Sequence, residues 1–183
     1  MKVSILQEAG FEKAMFGLAL SYGTTVDRAI KVSKNLAFKD HGHNKFLESI
    51  DVWLDVTAPR YWWQEADTYR LTTKQSESTI HSLNKKKFSQ EDFEKPIPEF
   101  YLNHLNELLK DNSNFAQLKN DLPEGYLQRR IWKVSYKTLR EILIQRSNHK
   151  LAEWKYFCDV ISKETEHCDL LIASTYLLME RKE

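Results

Sequence analysis

Cysteine is scarce in this chain: Cys158 and Cys168 are the only two, too few for the disulfide framework that staples small secreted domains. Free thiols suit a reducing compartment, so a cytoplasmic location is expected. Long apolar runs are missing too. The stretch 170–178 is far shorter than the roughly 20 residues that cross a bilayer, and no membrane partner is expected. Residues 1–13 contain neither a continuous apolar segment nor a small-residue cleavage site, so no secretory leader is expected. With a net charge of +1, the chain has no global field to draw it to nucleic acid or an anionic membrane. Metal-ligand spacing is absent: His167 and Cys168 are adjacent and no second pair follows, so no metal is expected. No Ser/His/Asp arrangement stands out, and no catalytic residue is assigned.

What is present describes an ordinary globular protein. The 183 residues, 42% hydrophobic and 29% charged, suit one domain over 1–183, with a flexible excursion at 84–98. Five Trp, eight Tyr and nine Phe form either a well-packed core or a platform for a flat ring. Leu6, Ala9, Phe11, Met15, Phe16, Leu18 and Leu20 predict a helix over 4–20, stopped at Gly23 and re-capped at Thr24 or Thr25. A second helix carries Val26, Ala29, Ile30, Val32 and Leu36 and ends before His41. Residues 50–56 alternate apolar and polar, the pattern of a half-buried strand, and Pro59 opens a helix over 60–69. Residues 71–82 read as a polar loop. Further helices are expected over 99–109, 114–119, after Ser135 or Thr138, and from 150 to the end with an interruption near His167. Residues 126–134 read as extended. The fold class is helix-rich α/β (α+β) with a small mixed sheet.

Three separated blocks share one register. The first, 42–59, reads G-H-N-K-F-L-E-S-I-D-V-W-L-D-V-T-A-P. The second is Thr68-Tyr69-Arg70, seven residues, then Ser78. The third holds Lys119, Leu122-Pro123, Trp132-Lys133-Val134-Ser135, Lys137, Leu139 and Arg146. Together they resemble the flavin-dependent thymidylate synthases. That family's segments run G-H-x-S-P-x-E-H, an alternating strand and a helix-opening Pro, then R-H-R-x7-S, then L-P…W-T-V-N-x-R-x-L…L-R. Gly42, His43, Glu48, Arg70 and Ser78 coincide with the pattern, while Thr68, Tyr69 and Ile80 stand where it has Arg, His and Arg.

The resemblance implies FAD near His43, Glu48, Arg70, Ser135, Lys137, Glu141 and Lys150. It implies a deoxyuridylate-like pyrimidine nucleotide near Glu65, Ser78, Lys119 and Arg146. Glu65 can orient a base or pair with Arg70. Lys74 or His81 can replace part of the lost positive charge. A one-carbon transfer to that nucleotide, with a folate and NADPH as further ligands, follows from the family, as does a homo-oligomer (dimer or tetramer) with sites at subunit interfaces. A nucleotide monophosphate is close to a dianion and favours bidentate Arg, so the missing cations keep two other readings open. One is a relative that binds a nucleotide without turning it over, and the other is a helical interaction protein.

Overall fold

A computed structural model describes residues 1–39, 41–83 and 86–173. Its sheet has four strands, β1 (Lys2–Ala9), β2 (Asp51–Pro59), β3 (Thr73–Ser76) and β4 (Leu127–Ser135), in the order β1-β2-β4-β3. The small sheet expected from the sequence is present, but it is antiparallel and not mixed, since each of its three pairings runs antiparallel. Eight helices lie among the described residues: α1 (Phe11–Tyr22), α2 (Val26–Leu36), α3 (Arg60–Ala66), α4 (Thr79–Ser82), α5 (Glu99–Leu108), α6 (Phe115–Asp121), α7 (Tyr136–Arg146) and α8 (Ala152–Glu164).

The strand predicted at 50–56 is the centre of the fold. Val52, Leu54, Val56 and Ala58 are buried while Asp51, Trp53, Asp55 and Thr57 are half-buried, so the two-residue period selects one face. β4 pairs along the whole of β2 and adds Trp132 and Val134 to that face. One cluster joins these strands to Met15 and Leu18 of α1, Trp62 and Trp63 of α3, Leu139 and Ile142 of α7, and Trp154 and Phe157 of α8. The aromatic residues are therefore largely core. A second cluster gathers Leu83, Phe88, Phe93, Leu102, Leu105, Leu118, Leu122 and Tyr126. Of the segment 84–98, residues 84 and 85 lie outside the described residues, and Phe88 and Phe93 belong to this second core.

Several expectations are corrected. The helix expected over 4–20 begins only at Phe11; residues 2–9 are β1. A register shift between Ile5 and Gln7 is the cause. It breaks the alternation set by Val3 and Ile5 and leaves Leu6 exposed, so the apolar spacing imitates a helix. Gly10 makes the turn into α1 with φ of 96°, where a Cβ would lie 2.1 Å from the Ser49 carbonyl oxygen. The helix expected over 60–69 ends at Ala66. The loop expected over 71–82 contains β3 and α4; its Thr, Lys, Gln and Ser side chains carry no apolar signal, and pairing with β4 makes the strand. The C-terminal helix runs from Ala152 to Glu164, its chain turning at Thr165 near the expected interruption. The remainder of that expectation, 174–183, lies outside the described residues.

Candidate functional site

α7 organises the candidate residues because the sequence closes both of its ends. At its start Ser135 is the N-cap, accepting from the Thr138 backbone N–H at 3.3 Å. Lys137, in the first turn, donates to Oδ1 of Asn44, a fully buried residue whose Nδ2 donates to the Ala37 carbonyl at 3.4 Å. That bond brings the first and third sequence blocks together. His43 and Glu48 flank Asn44, both exposed, on the turn 41–44 and on the 3-10 segment Lys45–Ser49. The turn bends through positive φ at His41 (59°) and Gly42 (88°). Nearby on α7, Arg140 stacks over Phe38 at 5.2 Å, and its buried Nε has no partner among the described residues.

The other end of α7 is built differently. Arg146, with 19% of its side chain exposed, donates from Nη1 to Glu65 Oε2 at 2.8 Å and from Nε to the Tyr69 hydroxyl at 2.9 Å. Its guanidinium lies over the Trp154 ring at 4.9 Å. Trp154 Nε1 donates to the same Glu65 oxygen at 2.8 Å, and the Tyr69 hydroxyl donates to Gln145 Oε1 at 3.0 Å. His149 Nε2 lies 2.9 Å from Arg146 Nη1 and 3.6 Å from Glu65 Oε2. Glu65 thus pairs with Arg146 and not with Arg70. Its place in the last turn of α3 faces it toward α7 and α8, whereas Arg70 lies past the helix end, exposed and without an ion-pair partner among the described residues.

Around the second block the cations are drawn inward. Lys74 on β3 lies 3.5 Å from Asp67 and 4.9 Å from the Trp132 ring centroid. Its pKa is lowered, first by burial and then by Arg130, against the opposing pull of Asp67. Arg130 stacks on Trp63 at 4.4 Å and reaches both oxygens of Asp67 at 3.1 Å. Lys119 of α6 donates to the Thr79 hydroxyl at 2.6 Å, bridging to α4 beside Ser78, an exposed N-cap residue whose side chain makes no cap bond. Glu141 is exposed on α7, and His81 is exposed at α4. Lys150 is also exposed and lines a cavity of about 440 Å³ with Tyr61, Glu94, Lys95, Glu153 and Tyr156. Within it Tyr61 donates to Glu153, and burial raises the phenol's pKa.

The structure therefore joins the candidate residues into separate groups. His43, Glu48, Ser135 and Lys137 gather at one end of α7, Glu65 and Arg146 at the other, and Ser78 with Lys119 at α4. An 11-residue helix is about 16 Å long, so no single small ring touches both ends of α7 within one chain. Tyr69, Gln145, His149 and Trp154 complete the second end without having been singled out as site residues. Of these, the sequence marked Tyr69 alone, as a departure from the family pattern.

No family model and no curated protein sequence matches the chain. Solved structures do. A crystal structure of the flavin-dependent thymidylate synthase ThyX from Helicobacter pylori, complexed with FAD and dUMP, superposes with a TM-score of 0.79 over 93% of this chain and 98% of that one, at 15% identity. A second structure of the same synthase with FAD and dUMP gives 0.78 over 93% and 97%, at 16% identity. At such identity the likeness shows the fold: this chain folds as those synthases do.

Proposed function

We propose that this chain is a divergent flavin-dependent thymidylate synthase-like protein that binds FAD and a pyrimidine deoxynucleotide-like ligand. One observation carries the reading. The fold is shared over nearly the whole length with synthases holding FAD and dUMP, and the sequence blocks that resemble the family meet in space, Tyr69 against Arg146 and Asn44 against Lys137. The residues at the start of α7 suit the polar part of FAD. Lys137 supplies a cation, His43 and Glu48 supply exposed hydrogen-bonding groups, and the first turn of α7 favours anions. When bound, the flavin supplies hydride chemistry. The candidate groups lie apart within one chain, which supports sites shared between subunits of a homo-oligomer.

FAD titration tests the reading. Protein incubated with excess FAD and desalted should keep flavin absorbance, and light scattering should report an oligomer. A protein that stays colourless and monomeric sinks it. A nucleotide at about a hundred times its dissociation constant should then stabilise the fold by about 2.7 kcal/mol. A second reading, nucleotide binding without turnover, draws support from Tyr69 and Ile80, where the family pattern has His and Arg. Flavin retention and nucleotide stabilisation without one-carbon transfer would select it.

A further inference from the structure

The cavity at the start of α8 holds a buried charge that the fold leaves uncompensated. Glu153, the second residue of α8, is only 9% exposed. Its one hydrogen bond comes from the neutral Tyr61 hydroxyl, and no cation lies within ion-pair distance of it among the described residues. A carboxylate taken out of water ordinarily has a cation beside it, because its lost hydration costs more than a helix N-terminus returns. Glu94, the other acid of the cavity, is already engaged, with Oε2 2.6 Å from Met1 N.

The exposed part of the lining carries the opposite charge. Lys95 and Lys150 stand there, and neither has a hydrogen-bond or ion-pair partner among the described residues. Tyr61 and Tyr156 bring two aromatic rings to the same lining. At about 440 Å³ the space falls within the range of small-molecule sites, roughly 300–1,000 Å³. A simple organic anion that enters meets Glu153, and a simple amine meets the two lysines. A molecule with both charges finds a partner for each.

We infer that this cavity binds a small zwitterion, an α-amino acid with an aromatic side chain, its ammonium on Glu153 and its carboxylate toward Lys95 and Lys150. Glu153 Oε2, which has no hydrogen bond among the described residues, is the acceptor for the ammonium. The ligand's ring packs against Tyr61 and Tyr156. The lysines are exposed and screened, so they select for the carboxylate more than they add affinity. The inference stands apart from the flavin and nucleotide reading: Lys150 excepted, none of the residues linked above with those ligands lines the cavity.

Calorimetric titration of the full chain with L-phenylalanine, N-acetyl-L-phenylalanine and 2-phenylethylamine, each with and without saturating FAD, tests it. L-Phenylalanine should bind, and the N-acetyl derivative, which lacks the ammonium, should bind at least ten-fold more weakly. 2-Phenylethylamine, which lacks the carboxylate, should lose a smaller factor, about two- to five-fold. Glu153→Gln keeps an acceptor for Tyr61 and removes the charge, so it should weaken L-phenylalanine by roughly ten-fold or more. No binding of L-phenylalanine overturns the inference, as does equal binding of either derivative. FAD that abolishes L-phenylalanine binding also overturns it, since the cavity is then part of the flavin site. A chain that binds L-phenylalanine and never takes up FAD supports the inference and sinks only the earlier reading. The three-ligand comparison on the native protein decides the question even if the variant does not fold.

Discussion

The two ends of α7 solve opposite problems. At its start, the side chains singled out from the sequence, His43 and Glu48, are exposed, and only Lys137 and Ser135 are tied into the fold. At its end, Glu65, Tyr69, Gln145, Arg146, His149 and Trp154 bond or contact one another in a half-buried network. The first end leaves His43 and Glu48 facing solvent. The second has spent most of its hydrogen-bonding capacity internally, so it contributes to stability and restricts what can enter. Polar residues that look equally suited to a ligand in sequence can therefore play unlike parts, according to how many partners the fold has already given them.

Substitutions at the two ends should separate these roles. Trp154→Ala removes a fully buried ring that packs on Trp62 and donates to Glu65; urea denaturation should show a loss of about 3–5 kcal/mol. Arg146→Ala strips Glu65 of its cation and Tyr69 of its donor. After allowance for partial exposure, its expected loss is about 2 kcal/mol. A loss below measurement error would show that the network is not closed. Ser135→Ala deletes the cap of α7 and should lower stability by about 1 kcal/mol. His43→Ala and Glu48→Ala, at exposed positions, should leave the melting temperature unchanged and weaken FAD retention. A melting shift as large as that of Arg146→Ala would erase the contrast between the ends.

Cysteine reactivity gives a smaller test of the core behind both ends. Burial pushes the Cys158 thiol up to about 12, whereas Cys168 is half-buried. Iodoacetamide at mildly alkaline pH should label Cys168 first, and early labelling of Cys158 would mean that α8 opens in the native state.

Much of the fold was legible because local patterns carried it. The alternation Val52, Leu54, Val56 announced β2, Thr24 or Thr25 and Ser135 or Thr138 announced the starts of α2 and α7, with Thr25 and Ser135 the caps the fold uses, and Gly23 announced the end of α1. β1 was misread because one bulge changed its period. β3 was missed because a polar edge strand is defined by its neighbour and not by its own residues. At the site, Glu65 and Arg146 could each be named from sequence, but not as partners.

Amino-acid order alone determined the central strand, most helix starts and the three blocks whose spacing resembles the flavin-dependent synthases. Caps, alternation and motif spacing act over a few residues, so they can be read along the chain. Only the tertiary structure decided that Glu65 answers Arg146, 81 residues away, that Lys137 reaches Asn44, and that Lys74 and Arg130 share Asp67. Those pairings depend on how α3, α7, α8 and the sheet pack, because a charge's partner is set by distance and burial in space and leaves no periodic mark in the sequence.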